Sequence, residues 1–365
     1  MAAWRKAGIV DRSAFTKAGE QGFLMIWPDE KYGGLGDNDF RYEQIIIEET
    51  ARAGCGDWFN TLHSRLVGPY LQTFGTQEQR QRFLPKCVSG EYILAVAMTE
   101  PDAGSDLAGM RSTLKDAGDH LILNGSKTYI SNGINADVVI VAAKYIPEGE
   151  KKADNAHSMV LCIVERGMKG FERGRNLKKM GLPAQDTAEL FFEDVEIPKE
   201  NILGAPGKGF YHLMAGLAEE RLIAAVGYSA SARFAFNVTR DFVMQRKIFG
   251  QQLSDMQNTQ FKMAELDTEI EIFQVYVDHL VALHNEGKLN ANMAAKAKLQ
   301  GSEIQWRMMD EGVQLHGGAG YMEEYPICRM FQDARINRIL AGSSEVMKLI
   351  IGRDVFSEHY AHADQ

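Results

Sequence analysis

The sequence predicts an α+β protein in which helices and strands occupy separate regions of the chain. Apolar residues recur every three to four positions through residues 1–91, which is the spacing of amphipathic helices. Short apolar runs broken by turn residues fill residues 92–204, and the helical spacing returns over residues 205–365. Because the strands are not interleaved with helices, a parallel α/β sheet is not expected. We therefore expect an N-terminal helical domain, a central β domain of sandwich or barrel type, and a C-terminal helical domain.

The helical pattern of the first region is clearest in two segments, "YEQIIIEETARAG" (42–54) and "TQEQRQRFLPKCVSG" (76–90). In the last region it is clearest in the long amphipathic segment that starts at Thr259. The stretch "GAPGKGF" (204–210) lacks the spacer and the Ser/Thr of a phosphate-binding P-loop. We interpret it as a turn that opens the next helix.

Apolar runs separated by turn residues predict the strands of the central domain. The pair Asn124–Gly125 stands between two alternating segments and predicts a tight hairpin turn. The glycines of the chain form no dinucleotide-binding fingerprint. The runs are "YILAVAM" (92–98), "HLILNGSKTYISNG" (120–133), "ADVVIVAAK" (136–144), "HSMVLCIVE" (157–165) and "AELFFEDVEIP" (188–198).

The composition argues against several classes of protein. The chain has 365 residues, a net charge of -9 and a pI near 5.6, which disfavours nucleic acid or anionic membranes as partners. Its cysteines are far apart and form no Cys-x-x-Cys pair, so neither a disulfide framework nor a metal site is predicted. No segment has the ~20 apolar residues of a membrane span or the core of a secretory signal. We expect a soluble intracellular protein, in a bacterial cytoplasm or, if eukaryotic, in the mitochondrial matrix.

Two loops could bind a ligand. "AMTEPDAGSDLAGM" (97–110) follows a predicted strand, and its backbone N–H groups and hydroxyls could receive an anionic or heteroaromatic ligand; a plain turn is the alternative. In "DEGVQLHGGAGYMEEYP" (310–326), His316 has no nucleophile or carboxylate at a defined spacing, so a structural role is favoured over a catalytic one. Arg246 and Lys247 could complement a helix C-terminus or hold a phosphate.

The segment "LAEERL" (217–222) places charges inside an apolar helix. At helical spacing Glu220 falls on the apolar stripe with Leu213 and Leu217, whereas Glu219 points away and is expected to face solvent. A carboxylate on an apolar face has a raised pKa, which suits a general base. An intrahelical ion pair is the alternative interpretation of Glu220.

Several motifs, in order along the chain, resemble those of the acyl-CoA dehydrogenase family. The resemblance runs from about Gly22 to Arg353 and implies an N-terminal helical domain, a central β domain and a C-terminal four-helix bundle, assembled as a homotetramer. Family members carry a further helix before the segment similar to "AAWRKAG", so the N-terminal domain is expected to lack its first helix. The motifs are "AMTEPDAGSD", "KTYISNG", "KMGLPAQDTAELFFEDVEIP", "QRKIFGQ", "QLHGGAGY" and "ILAGSSEVMKLIIGRD".

The resemblance implies an FAD cofactor that is bound without a Rossmann fold. Residues implied to lie around the flavin ring and pyrophosphate are Met98, Thr99, Gly104, Ser105, Tyr129 and Ser131. Residues implied to reach the cofactor of a neighbouring subunit are Arg246, Phe249, Gln257, Gln314, Gly317 and Gly318. The loop that contains Ser343 and Glu345 is implied to continue the FAD site.

The catalytic base occupies one of two places in the family that this chain resembles. The majority pattern has a glutamate two residues before Ser343, where this chain has Ala341. In the long-chain and isovaleryl branches the base lies instead in a motif similar to "EERL", at the position of Glu220. The resemblance and the apolar-stripe argument select the same residue, so we predict that Glu220 is the base.

The resemblance implies α,β-dehydrogenation of an acyl-CoA thioester to the trans-2-enoyl-CoA. Glu220 would remove the pro-R α-proton while the β-hydrogen leaves as hydride to the flavin, and hydrogen bonds to the thioester carbonyl would stabilise the enolate. Reduced flavin would then pass electrons to an electron-transferring flavoprotein. The candidate contacts to the CoA thioester are Ser105, Tyr211, Arg221 and Gly342.

The predicted substrate carries a medium-to-long acyl chain. Several motifs are closest to the long-chain branch, and Leu340 stands where the isovaleryl branch has a glycine. A branched short-chain or terpenoid acyl-CoA is the alternative. Glu220 disfavours flavin-dependent monooxygenases, which do not need it, and nitroalkane oxidases, which use an aspartate there. A non-catalytic FAD- or acyl-CoA-binding scaffold would be favoured by an exposed, ion-paired Glu220.

Overall fold

The computed structural model describes residues 1–153 and 158–357, which form two compact units. The first unit comprises Met1–Asp39, Asp57–Lys179 and Pro183–Gly216. The second comprises Phe40–Gly56, Met180–Leu182 and the chain from Leu217 onward. His157, which opens one of the apolar runs, and residues 358–365 of the predicted C-terminal domain lie outside the described residues. The domain boundaries after residues 91 and 204 stay a prediction.

The N-terminal region is helical, as its apolar spacing predicts. Helix α5 starts with a capping box, because the Thr76 hydroxyl accepts from the Gln79 N–H and the Gln79 side chain accepts from the Thr76 N–H. A π-helical turn, Leu62–Val67, leads directly into α4. The helices are α1 (Ala2–Ala7), α2 (Ser13–Glu20), α3 (Phe40–Arg52, in the second unit), α4 (Gly68–Phe74) and α5 (Gln77–Val88).

His63, in the π-helical turn, joins α5 to the first strand of the sheet. Its Nε2 lies 2.9 Å from the Cys87 carbonyl oxygen, and its Nδ1 accepts a hydrogen bond from the Leu94 N–H at 3.1 Å. The imidazole is fully buried, and burial lowers the pKa of His63 to about 4. His63 is therefore neutral near pH 7 and acts as a structural bridge at the start of the strand that leads to Met98.

The central region forms one mixed sheet, with strands in the order β6-β7-β3-β2-β4-β5-β8 and with β1 also paired to β4. The pairs β1–β4 and β2–β4 are parallel, and the other pairs are antiparallel. All of the apolar runs predicted as strands are strands, and β2, β6 and β8 were not predicted. The strands are β1 (Leu94–Ala97), β2 (Thr113–Asp116), β3 (His120–Ser131), β4 (Val138–Ile146), β5 (Met159–Glu165), β6 (Phe171–Asn176), β7 (Thr187–Pro198) and β8 (Ile202–Leu203).

The hairpin predicted at Asn124–Gly125 is wrong, because both residues lie inside β3 at a shift in its register with β7. The Asn124 amide exchanges two 2.9 Å hydrogen bonds with Asp194 across that irregularity. Gly125 has φ +143, and a Cβ there would lie 2.2 Å from the Ser112 hydroxyl oxygen, so close packing explains the glycine. The turn between β2 and β3 instead contains Gly118, which has φ +96.

The C-terminal region is a helical bundle whose long helix α6 begins at Gly209, within "GAPGKGF". Residues 204–208 precede it without helical structure, so the stretch is a turn that opens the helix, as predicted. A short hairpin, β9 (Lys247–Ile248) with β10 (Gln251–Gln252), separates α6 from α7. None of the helices within residues 1–153 and 158–357 has the length and apolar character needed to cross a membrane. The helices are α6 (Gly209–Gln245), α7 (Gln257–Asn285), α8 (Ala291–His316), α9 (Pro326–Ala334) and α10 (Ser344–Val355).

Candidate active site

Glu220 is a partly buried carboxylate on α6 that forms no hydrogen bond or ion pair with any residue in the described part of the chain. Burial raises its pKa, and the charges of Arg221 and Lys298 oppose that rise. An unpaired carboxylate with a raised pKa can accept a proton from a ligand, which is the property of a general base. The ion pair that would have favoured a non-catalytic scaffold is not formed within residues 1–153 and 158–357.

Arg221 is buried beside Glu220, with only 5% of its surface exposed. Burial lowers the pKa of Arg221 below its usual value, although the charge of Glu220 opposes this effect. Its Nε has no hydrogen-bond partner among the described residues. A buried donor without a partner is costly in a folded protein, and a bound ligand with an acceptor group would relieve that cost. This observation supports Arg221 as a ligand contact.

The prediction that Glu219 faces solvent is wrong. Its carboxylate lies 2.8 Å from His284 Nε2, and its side chain is 25% exposed. The His284 ring in turn packs on Phe40, with 4.8 Å between the ring centroids. Helices α3 and α7 cover the face of α6 that the periodicity of one helix assigned to water. Glu219 is therefore held by a partner, whereas Glu220 has none in the part of the chain that the structure describes.

The loop before α10 carries Gly342 and is attached to α8 by Lys298. The Lys298 ammonium donates a 2.6 Å hydrogen bond to the Gly342 carbonyl oxygen. Ala341 and Gly342 both have left-handed backbones, with φ +54 and +89. Such a conformation is strained for alanine and persists where the surrounding contacts hold it.

Ala341→Gly is expected to stabilise the protein by about 0.5–1 kcal/mol, because glycine tolerates positive φ without the Cβ penalty. The measurement is the midpoint of thermal unfolding. Ala297→Gly, inside α8, is the matched control. It should lower the midpoint, because glycine inside a helix destabilises the folded state by about 1 kcal/mol or more. Equal destabilisation by both substitutions would contradict the assignment of strain to Ala341.

In the first unit, the strand β1 ends at the residues predicted to face the flavin. The Met98 carbonyl accepts from Lys127 Nζ at 3.0 Å, and the Thr99 carbonyl accepts from the Thr128 N–H at 2.9 Å. Gly104 and Ser105 follow in an exposed stretch, and a Cβ on Gly104 would meet no atom within 4 Å. The loop is thus anchored at the strand and open beyond it.

A buried ion pair that the sequence reasoning missed anchors this loop. Lys127 Nζ lies 2.9 Å from Glu100 Oε1, and Lys127 is fully buried. The Glu100 carboxylate also accepts from the backbone N–H groups of Arg111 and Ser112. Although burial opposes it, hydrogen bonds from Ser112 and Lys127 keep the pKa of Glu100 below its usual value. Both residues stand inside quoted motifs, but nothing in their local spacing pairs them.

Tyr129 projects from a second irregularity in β3, where the register with β7 shifts between Lys127 and Ile130. It has φ +59 and is 70% exposed. Ser131, two residues later, is partly buried at the end of the strand. An exposed aromatic ring on a strained backbone is held out by the fold, which suits a surface on which a planar ring stacks.

The second unit contains a cavity of about 500 Å³ that brings together four residues predicted to reach a neighbouring cofactor. His316 also lines it, but its Nδ1 lies 2.7 Å from the Gly312 carbonyl oxygen and its ring stacks on Phe242, which indicates a structural role. The wall is formed by Arg246, Gln314, Gly317, Gly318, Phe242, Ile248, Leu253, Leu315, His316, Ala319 and Tyr325.

The remaining predicted residues lie apart from that cavity wall. Phe249, at the tip of the β9–β10 hairpin, has φ +47 and is 95% exposed. Gln257 is exposed at the first position of α7. Ser343 caps α10 through its hydroxyl, which accepts from the Val346 N–H at 3.3 Å, and Glu345 lies in the first turn of that helix. Tyr211 is exposed on the part of α6 that belongs to the first unit.

A carboxylate with no ion-pair partner among the described residues, next to the buried Arg221, suits an enzyme that uses a general base on a bound ligand. The chain belongs to the acyl-CoA dehydrogenase family. The family models for the N-terminal, middle and C-terminal domains of acyl-CoA dehydrogenase match residues 1–91, 95–195 and 207–356.

Two curated relatives illustrate the similarity within this family. The long-chain specific acyl-CoA dehydrogenase of Mus musculus mitochondria is 46% identical over 97% of this chain and 82% of the mouse protein. The mitochondrial isovaleryl-CoA dehydrogenase of Pongo abelii is 37% identical over 94% of this chain and 80% of its own length. Identity is thus higher to the long-chain enzyme than to the isovaleryl enzyme.

Solved structures show the same fold. An acyl-CoA dehydrogenase from Geobacillus kaustophilus superimposes with a TM-score of 0.94 at 46% identity, covering 98% of this chain and 93% of that one. A glutaryl-CoA dehydrogenase from Mycobacterium smegmatis in complex with FADH2 superimposes with a TM-score of 0.89 at 27% identity, covering 97% and 89%. The predicted α+β fold of the acyl-CoA dehydrogenase type is confirmed.

Proposed function

We propose that this protein is an FAD-dependent acyl-CoA dehydrogenase that converts a medium-to-long-chain acyl-CoA to the trans-2-enoyl-CoA in fatty-acid β-oxidation. The observation that carries the proposal is the carboxylate of Glu220, partly buried and without an ion-pair partner among the described residues, in a chain 46% identical to a long-chain enzyme. The isovaleryl relative is less similar, at 37% identity.

Glu220 abstracts the pro-R proton on the α-carbon of the bound thioester. Its raised pKa makes the proton transfer more favourable than it would be to a solvated carboxylate. Arg221 lies next to it with an unsatisfied Nε, which can donate to an acceptor on the substrate. Gly342, whose carbonyl accepts a hydrogen bond from Lys298, would present its backbone to the same thioester. FAD, when it is bound, would accept the β-hydrogen as a hydride.

Features of each unit fit a flavin dinucleotide. In the first unit, Tyr129 and Ser131 would hold the ring system, with Met98 and Thr99 at the end of β1. The open space at Gly104 allows backbone N–H groups, with Ser105, to approach a pyrophosphate. In the second unit, further contacts would come from Arg246, Phe249, Gln257, Gln314, Gly317, Gly318, Ser343 and Glu345, and a Cβ at Gly317 or Gly318 would meet no atom within 4 Å.

We also propose the partners and the setting of the reaction. Electrons leave to an electron-transferring flavoprotein, and the enzyme assembles as a homotetramer in which residues such as Arg246 reach the cofactor of a neighbouring subunit. Ser105 and Tyr211 contact the CoA thioester together with Arg221 and Gly342. The setting is a bacterial cytoplasm or a mitochondrial matrix, for which the mitochondrial relatives are the support.

The test is anaerobic loss of the flavin absorbance after palmitoyl-CoA, octanoyl-CoA or isovaleryl-CoA is added to the purified FAD-containing enzyme. We expect rapid bleaching by palmitoyl-CoA and octanoyl-CoA and slow bleaching by isovaleryl-CoA. Preferential bleaching by isovaleryl-CoA would replace the proposed chain length with the branched alternative. A protein that binds FAD and is bleached by none of the three would contradict the proposed function.

A further inference from the structure

The segment between α9 and α10 is attached to α8 by a row of polar contacts within the second unit. The contacts involve side chains at positions 298, 303 and 305 of α8, which lie five and then two residues apart and approach the segment at successive points. They are Lys298 Nζ to Gly342 O at 2.6 Å, Arg338 Nε to Glu303 at 2.9 Å, Ser344 Oγ to Glu303 at 3.2 Å, and Asn337 Nδ2 to Gln305 at 2.7 Å.

Lys298 differs from the other members of this row because it is fully buried. A buried ammonium group with one hydrogen-bond acceptor is costly, and an apolar side chain of the same length would avoid that cost. The other anchors already hold the segment at Asn337, Arg338 and Ser344. Attachment of the loop alone therefore does not explain a cation at this position.

The surroundings of Lys298 point to the catalytic carboxylate. Burial lowers the pKa of Lys298 to about 8, with Arg221 acting in the same direction, while Glu220, Glu303 and Glu345 raise it. Near pH 7 the ammonium form still predominates. In return, Lys298 and Arg221 are the cations that lower the pKa of Glu220.

The groups that face Glu220 can be named element by element. Arg221 and Tyr228 share α6 with it, and Lys298 comes from α8. Tyr228 is a neutral phenol, since burial and the charge of Glu220 both raise its pKa, and its hydroxyl donates to the Asn337 carbonyl at 3.3 Å. The positive field at Glu220 therefore comes from Arg221 and Lys298.

We propose that Lys298 is a positioning residue for the dehydrogenation, which holds the Ala341–Gly342 loop through one hydrogen bond and keeps Glu220 ionised through its charge. This inference rests on the proposed function of Glu220 as the base. One side chain thereby couples the backbone at Gly342 to the protonation state of the base.

The first experiment compares the pH dependence of anaerobic flavin reduction by octanoyl-CoA in wild type, Lys298→Met and Lys296→Met. Lys296 is on α8 two residues away, is partly exposed and forms no hydrogen bond with Gly342 or any other described residue through its side chain, so it is the matched control. Removing a nearby positive charge should raise the apparent pKa of the base by about one unit, so that the rate below that pKa falls about tenfold. The control should keep the wild-type profile.

A second pair of variants separates charge from hydrogen bonding and covers the case in which Lys298→Met does not fold. Lys298→Gln keeps a donor for the Gly342 carbonyl but removes the charge, and should show the same shift in the pH profile. Lys298→Arg keeps the charge and should restore the wild-type profile. Amide hydrogen exchange in the peptide around residues 339–344, measured on the FAD-containing proteins, should increase in Lys298→Met and not in Lys296→Met.

The outcomes distinguish this inference from the proposed function. An unchanged pH profile in folded Lys298→Met or Lys298→Gln, or equal amide exchange in Lys298→Met and Lys296→Met, would overturn the inference. Failure of every acyl-CoA to bleach the wild-type flavin would instead overturn the proposed function.

Discussion

Glu220→Gln is expected to abolish flavin reduction by acyl-CoA, with a loss of about 10³-fold or more, while FAD remains bound. Glutamine has nearly the same shape as glutamate but cannot accept the α-proton, and a positioned general base contributes about 10²–10⁴-fold. The measurement is the anaerobic bleaching rate under saturating palmitoyl-CoA or octanoyl-CoA.

Glu219→Gln is the matched control for this substitution. It changes the adjacent carboxylate, which is already held by His284, and should leave most of the rate intact. If Glu220→Gln bleaches as fast as wild type, Glu220 is not the base, and another residue must take the proton.

Glu220→Gln should also stabilise the folded protein at neutral and alkaline pH, by about 1 kcal/mol. Burial raises the pKa of Glu220, so the folded state holds this proton more tightly than the unfolded state. Stability is therefore lost as pH rises from the unfolded pKa through the raised folded pKa, and the full loss persists above that window. Thermal midpoints of wild type and Glu220→Gln should converge at pH values below the ordinary glutamate pKa and diverge above it.

Glu100→Ala is expected to cost about 3–5 kcal/mol, because it leaves the fully buried ammonium of Lys127 without its partner. The backbone N–H of Ser112 also loses its acceptor. Since Lys127 donates to the Met98 carbonyl as well, the displaced loop should release FAD more readily. The measurements are the denaturation midpoint and the flavin retained after gel filtration.

Asp102→Ala is the matched control, since Asp102 pairs with Arg111 at the surface of the same loop, and its loss should cost less than about 1 kcal/mol. The double variant Glu100→Ala with Lys127→Met should recover part of the stability, because no charge is then left unpaired. Equal stability of wild type and Glu100→Ala would show that the pair does not anchor the loop.

Periodicity recovered the order of helical and β regions because it reports which face of each element is buried. It failed at Asn124–Gly125, where a glycine needed for close packing against Ser112 resembles a turn signal. It also missed β2 and β6, which are short and carry polar residues such as Lys115 and Arg173. These strands form through pairing with β3, β4 and β7, and that pairing cannot be read from their own residues.

The sequence selects Glu220 as the predicted base, because its position on the apolar stripe of one helix is a local property and because the motif around it matches a family branch. The left-handed backbones of Tyr129, Phe249 and Ala341 had no comparable signal, since none is a glycine. Each belongs to a loop, bulge or hairpin whose conformation depends on the residues packed around it.

The sequence by itself determined the family and the order of the helical and β regions. It also selected Glu220 as the predicted base, since the other position where the family carries the base is Ala341 in this chain. Only the tertiary structure decided which charges are paired: Glu219 with His284, Glu100 with Lys127, and Lys298 with the Gly342 carbonyl. The partners in these contacts are 27 to 65 residues apart along the chain. Local spacing reports the face on which a residue lies, whereas the partner that neutralises a charge is set by how distant elements pack.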